Sequence, residues 1–217
     1  MTVMRTRLPL FLLILLLSLP LATAAAAPGR VLLLGDSLSA AHNIPVAGSW
    51  PQLLAKRLAE REPPLELVNA SISGETTAAG LARLPGLLQR HAPQLLILEL
   101  GANDGLRGLP LQQIRDNLAA MMDLASDAGA RVLLLGIELP VNYGPQYRDG
   151  LRAIYQQLAQ DKDTALLPFL LQDVALDATL MQADGLHPTA AAQPRLLHNV
   201  WQVLAPLLDE WQATDDG

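Results

Sequence analysis

The chain has 217 residues, 51% of them apolar, 4% aromatic and none cysteine, with 15 Lys and Arg against 21 Asp and Glu for a formal net charge of −6. That length supports one domain with a full hydrophobic core, and the apolar content excludes a disordered chain. The missing cysteine excludes disulfide scaffolds, thiolate metal centres, iron–sulfur clusters and a thiol nucleophile, and an acidic balance without any basic cluster argues against nucleic acid or an anionic membrane surface as partner.

The mean hydropathy of +0.26 raises the question of a membrane span, and the N-terminus answers it. Arg5 and Arg7 precede an apolar run from Leu8 to Leu21 that Pro9, Ser18 and Pro20 interrupt, and small residues follow at Ala22-Thr23-Ala24-Ala25-Ala26. This is the layout of a secretory signal peptide, and the run is short for a spanning helix of ~20 residues. Residues 1–24 are therefore read as a signal peptide and 25–217 as a single domain exported to a periplasm or the medium, with no stable membrane span after cleavage. An uncleaved N-terminal anchor is the alternative.

From Arg30 on, short apolar runs alternate with helical periodicity. Arg30–Leu34, Leu65–Ala70, Leu95–Leu100 and Arg131–Ile137 predict strands, with Ala165–Leu167 a short fifth; such fully apolar runs suit strands buried on both faces of a parallel sheet. Between them, Ser49 as cap and Pro51 in the first turn predict a helix to about Arg61, with Leu54 and Leu58 inward. A second helix is predicted from about Thr77 to His91 on a Leu81, Leu84, Leu88 stripe. A third carries Leu111, Ile114, Leu118 and Met121 and ends at Gly129. Gln146 to about Gln160 and Pro194 to Trp211 complete the set, with Pro206 expected to bend or end the last. Strand–helix alternation at this spacing predicts a doubly wound α/β sandwich, in which ligands bind at the carboxyl ends of the strands.

Four polar loops fall where that rule points: Gly35-Asp36-Ser37-Leu38-Ser39 after the first strand, Asn69 to Thr76 after the second, Gly101-Ala102-Asn103-Asp104-Gly105 after the third, and Asp184-Gly185-Leu186-His187-Pro188 before the last helix. Acyl hydrolysis needs a nucleophile, a base, an orienter for the base and donors for an oxyanion. Ser37 supplies a hydroxyl at a strand-to-helix turn, His187 a base, and Asp184, three residues earlier, a carboxylate within reach of the imidazole; the bland alternative for Asp184 is a solvated loop residue, with His187 held by backbone. The N–H groups of Ser37 and Gly74 and the Asn103 amide are the candidate oxyanion donors. Taken singly, each of these residues has an ordinary turn or cap reading; their conjunction on one sheet edge does not.

The blocks G-D-S-L, the Gly74 loop, G-x-N-D and D-x-x-H resemble those of the SGNH (GDSL) hydrolase superfamily. The longer matches GDSLSA, VNASISGET, LARLP, ELGANDGLRG, Leu139 to Gly144, LLPF and DGLHP resemble its branch of bacterial periplasmic thioesterases and lysophospholipases. The resemblance covers the chain after the leader. It implies a three-layer α/β/α sandwich with a flavodoxin-like parallel sheet, no cofactor, no metal, and hydrolysis of esters and thioesters (aryl and acyl esters, acyl-CoA, lysophospholipids). It implies Ser37 as nucleophile, His187 as base, Asp184 as orienter, and Ser37, Gly74 and Asn103 as the oxyanion hole. The expected partner is a small-molecule acyl ester or thioester, bound by a monomer. Ala102 departs from the pattern, because relatives commonly carry a second Gly before the Asn.

Other residues have simpler expectations. Asp36 and Asp104 cap turns, His42, His91 and His198 are surface or helix residues, and no histidine pair has metal-ligand spacing in sequence. Leu106, Leu109, Leu139, Pro140 and Val141, apolar yet in loops, are expected to line an acyl groove. Leu109, Pro140, Asn142 and Tyr143 are thus candidate substrate-binding residues, and Arg107 should border the site. Two alternatives stay open: a carbohydrate or other small-acyl acetyl esterase on the same fold, and a non-enzymatic flavodoxin-like module for phosphate or flavin.

Overall fold

Val31, Leu32, Leu33 and Leu34 are completely buried, as are Leu96, Ile97 and Leu98 and Leu133, Leu134 and Leu135; three adjacent strands thus have no face toward water. In the computed structural model, which describes residues 29–215 and side chains to Trp211, these runs form the centre of a five-stranded sheet. β1 (Gly29–Gly35), β2 (Leu65–Asn69), β3 (Leu95–Glu99), β4 (Arg131–Leu135) and β5 (Ala165–Leu167) lie in the order β2-β1-β3-β4-β5, every pair parallel. This is the flavodoxin-like order, with its switch point between β1 and β3. The proposed leader, residues 1–24, lies outside the described residues, and none of the described helices is long and apolar enough to cross a membrane.

The helices are α1 (Trp50–Ala59), α2 (Thr77–His91), a short α3 (Ala102–Leu106), α4 (Leu111–Asp127), α5 (Pro145–Asp161) and α6 (Gln193–Asp215). α1 packs on α6, and α2, α4 and α5 pack side by side, so two helical layers enclose the sheet as a three-layer sandwich. Leu54 and Leu58, Leu84 and Leu88, and Ile114, Leu118 and Met121 are the buried stripes.

Three local expectations are corrected. Ser49 stands at the start of α1, but its hydroxyl donates to the Val46 carbonyl at 2.7 Å instead of capping. The Trp50 N–H is satisfied by the Gln193 side chain at 2.9 Å, which ties α1 to α6. Pro206 does not end α6, which continues to Asp215; Leu204 and Leu208 on either side of it are fully buried, and their packing outweighs the one helical hydrogen bond that proline removes. β4 stops at Leu135, and Gly136 and Ile137 continue as a loop. The Gly136 N–H still donates to the Leu167 carbonyl at 2.8 Å, but its carbonyl accepts from the Leu170 N–H, beyond the end of β5, at 3.0 Å. A Cβ at Gly136 would stand 2.2 Å from the Pro168 carbonyl oxygen, so glycine is required there.

Candidate active site

The parallel sheet delivers all three strand-end loops to one edge. Ser37 lies in the turn after β1, where the Ser39 and Ala40 N–H groups donate to the Asp36 carbonyl at 3.2 and 2.9 Å. The Asp36 side chain closes the same turn, Oδ1 accepting from the Leu38 N–H at 3.0 Å. Asn69, at the end of β2, donates to the Ser39 carbonyl at 2.9 Å and accepts the Ser71 N–H at 3.1 Å, so the first two loops are fastened together.

The fourth loop is a small hairpin closed by the Met181–Pro188 bridge. Gln182 N–H donates to the His187 carbonyl at 2.8 Å, and Gly185 turns the chain at φ +66°, a conformation that suits glycine. Asp184 sits at its tip. Its Oδ1 accepts the backbone N–H groups of Leu186 and His187 at 2.9 and 3.1 Å, and its Oδ2 lies 2.7 Å from His187 Nδ1. On the far side of the ring, His187 Nε2 is 2.8 Å from Ser37 Oγ. The three residues form a hydrogen-bonded relay across 150 positions of sequence. Burial pushes the Asp184 carboxyl up, but the Leu186 and His187 donors outweigh it and hold the pKa at about 2. A carboxylate at Oδ2 fixes the Nδ1–H tautomer and leaves the Nε2 lone pair facing Ser37.

The remaining candidates gather around Ser37. Among the described residues, the N–H groups of Ser37 and Gly74 are spent on no internal hydrogen bond. Gly74 is exposed at φ +81°, with open space where a Cβ would be, and Arg107 holds its carbonyl at 3.2 Å. Arg83 grips Glu75 with Nη1 at 2.6 and 2.7 Å and the Ala70 carbonyl with Nη2 at 2.9 Å, which fixes the rest of that loop. Asn103 Nδ2 donates to Asp36 Oδ2 at 2.9 Å and to the Glu75 carbonyl at 3.1 Å. It rides on α3, a helix the sequence reading did not resolve. Asp104 fastens that helix by accepting the Thr77 N–H at 2.8 Å and hydroxyl at 2.5 Å. Gly101 before it has φ +121°, and a Cβ there would fall 2.3 Å from the Tyr155 hydroxyl oxygen, so only glycine fits.

Two residues near the site escaped the sequence reading. Glu99, fully buried at the end of β3, accepts the Asp36 N–H at 3.1 Å and the Ser39 hydroxyl at 2.7 Å. Burial first, and the nearby Asp36 second, drive its carboxyl well above the usual range. Asp36 is itself raised to about 6 by burial, against the lowering pull of the Leu38 N–H and the Asn103 amide. The signal for Glu99 was present as the one charged residue in an otherwise apolar strand. His42 is corrected: it is half-buried and stacks on His187, with ring centroids 4.2 Å apart. His91 ends α2 and His198 lies exposed on α6, as expected.

Beside Ser37 opens a cavity of about 80 Å³ whose wall is largely apolar. Leu106, Leu139 and Pro140 line it as expected, joined by Ile137, Phe169 and Leu171, and Ala102 contributes at the Asn103 side. Leu109, Val141, Asn142 and Tyr143 lie outside this lining. Leu109 accepts the Tyr147 hydroxyl at its carbonyl, Val141 and Asn142 are exposed, and the Tyr143 hydroxyl donates to the Leu106 carbonyl at 2.9 Å, bracing the wall from behind.

Known proteins match along this same stretch. Residues 33–194 match the model of the GDSL-like Lipase/Acylhydrolase family. Esterase TesA of Pseudomonas aeruginosa is 52% identical over 88% of this chain and 96% of its own. Thioesterase 1/protease 1/lysophospholipase L1 of Escherichia coli K12 is 42% identical over 95% of this chain and 96% of its own. A crystal structure of TesA superposes with a TM-score of 0.80 at 52% identity, covering 82% of this chain and 99% of that one.

Proposed function

The chain belongs to the GDSL-like lipase/acylhydrolase family, and from that premise we propose that it is a serine hydrolase of carboxylic esters and thioesters acting through an acyl-Ser37 intermediate. The observation that carries this reading is the relay itself: His187 Nε2 at 2.8 Å from Ser37 Oγ and Nδ1 at 2.7 Å from Asp184.

Ser37 Oγ attacks the acyl carbonyl as His187 Nε2 takes its proton. The imidazolium so formed is stabilised by the Asp184 carboxylate, and His187 returns the proton to the leaving alcohol or thiol. Water then attacks the acyl-Ser37 carbonyl with His187 again as base. In both halves the oxyanion is received by the unspent Ser37 and Gly74 N–H groups, and by the Asn103 hydrogen that in the resting site points at the Glu75 carbonyl. Such donors act by being in place before charge develops. The apolar cavity beside Ser37 takes the acyl chain, which favours acyl substrates over a sugar acetate, whose polar ring would be stranded against Leu, Ile and Phe.

The relatives' names, esterase, arylesterase and thioesterase/lysophospholipase, support aryl and acyl esters, acyl-CoA and lysophospholipids as the substrate range. The N-terminal pattern supports export to the periplasm or the medium after loss of residues 1–24; a monomeric mature chain is part of the same proposal. The test is Ser37→Ala: it is expected to keep its circular dichroism and to lose hydrolysis of p-nitrophenyl acyl esters by roughly 10⁶-fold. Full turnover in that variant overturns the assignment.

A further inference from the structure

His42 has no part in the reaction just described, yet a nitrogen of its ring, a nitrogen of His187 and a carboxylate oxygen of Asp184 all lie within 4.8 Å of one another. The arrangement is held by both loops that form it. Ala41 and Asn43 on either side of His42 adopt left-handed backbone, φ 58° and 53°. Gln182, in the hairpin that carries Asp184 and His187, donates to the His42 carbonyl at 3.0 Å and to the Pro188 carbonyl at 2.9 Å. The His42 Nε2 lies 3.1 Å from Asn43 Nδ2, a group that only donates; the Nε2 lone pair is thus engaged by Asn43 at rest, and an ion binding at that nitrogen takes the place of this donor.

Two imidazoles and one carboxylate are the donor set of a three-ligand transition-metal site with a fourth position left to water. We propose that His42, Asp184 and His187 form an inhibitory site for a divalent transition-metal ion, with zinc as the best fit to this ligand set. Bonds of ~2.0–2.2 Å to a tetrahedral ion place ligand atoms roughly 3.4 Å apart, so binding draws His42 inward by up to about 1 Å and parts His187 Nδ1 from Asp184 Oδ2, now 2.7 Å away, by roughly 0.7 Å. The atom of His187 engaged is Nδ1, already 2.7 Å from Asp184 Oδ2. Coordination there displaces the proton Nδ1 shares with Asp184, and that proton leaves to solvent. As the Nδ1 proton leaves, Nε2 takes one up from solvent, so the ring stays neutral with its single proton on Nε2; it then donates to Ser37 Oγ and no longer accepts the Ser37 proton. The ion need not touch Ser37 to stop the reaction, because it reverses the tautomer of the base.

Inhibition rests on the role proposed for His187; zinc binding does not, and the two separate experimentally. Calorimetric titration of the full chain with zinc chloride is expected to show one ion bound to the wild type and to Ser37→Ala alike. His42→Phe keeps a ring against His187 and is expected to keep basal ester hydrolysis. It should lose zinc affinity and zinc inhibition by at least the ~10–100-fold that removal of even an outer partner of a metal site costs. In the wild type, a chelator should restore turnover. The proposal is overturned if the wild type binds no zinc, if His42→Phe is inhibited as strongly as the wild type, or if zinc binds through His42 without slowing hydrolysis. Failure of the hydrolase reading shows separately, as activity surviving in Ser37→Ala.

Discussion

Asn103 Nδ2 lies 2.9 Å from one Asp36 carboxylate oxygen, and that bond joins the loop after β3 to the loop that carries Ser37. The second hydrogen of the same amide points at the Glu75 carbonyl, 3.1 Å away. Asn103 therefore has one hydrogen anchoring the site and one that an oxyanion can claim. Asn103→Ala should lower kcat by ~10²–10³-fold with a smaller change in KM, the signature of a donor engaged in the transition state. Steady-state kinetics on a p-nitrophenyl ester read the split. A rise in KM at unchanged kcat would mean that Asn103 only binds substrate.

Asp184 keeps its charge far into acid, since its pKa is held at about 2. Its service to His187 should thus persist at any pH where the protein is folded. Asp184→Asn replaces a carboxylate acceptor by an amide that can donate to Nδ1, which puts the imidazole in the wrong tautomer. A kcat loss of roughly 10⁴-fold is expected with the fold intact. Turnover within tenfold of wild type would show that the backbone alone orients His187.

Leu106 lines the cavity with Leu139, Pro140, Phe169 and Leu171. Leu106→Trp should fill it, so that octanoyl esters lose burial of about three methylenes while acetyl esters lose none. At ~0.8 kcal/mol per methylene the octanoyl ester should fall about 50-fold in kcat/KM relative to the acetyl ester. An unchanged ratio between a C2 and a C8 p-nitrophenyl ester would place the acyl chain elsewhere.

Asp36 is fully buried, and burial raises its carboxyl to about 6 from an ordinary 3.8. Between those values the folded chain holds a proton that the unfolded chain has released. Its contribution to stability is therefore complete below pH ~4 and is lost as pH rises through about 6. The loss is on the order of 3 kcal/mol for this group alone; Glu99, raised in the same direction, adds with the same sign. Asp36→Asn should flatten this part of the profile, read as urea midpoints at pH 4 and pH 7. An identical pH slope in the variant would remove Asp36 from the account.

The strands, the long helices and the positions of Ser37, Asp184 and His187 were legible because each announces itself locally, as an apolar run, a leucine stripe or a polar block at a strand end. His42 was not, because its nearness to His187 depends on two left-handed residues and on a bond from Gln182, none of which has a period. The cavity wall was half legible. Leu139 and Pro140 stand out as apolar residues in a loop, whereas Phe169 and Leu171 follow β5 in a segment that reads as more core. Leu109 and Tyr143 belong to the same loops but turn to other partners, which composition alone cannot reveal.

Acylation of Ser37 underlies every step of the proposed reaction. Its most direct test is intact-mass and peptide mass spectrometry after treatment with an alkyl p-nitrophenyl phosphonate, which traps an attacking serine oxygen as a stable adduct. One phosphonyl group per chain is expected, on Ser37, with activity lost in step and no label on Ser37→Ala. A label on another residue, or full activity in a chain labelled at Ser37, would contradict it.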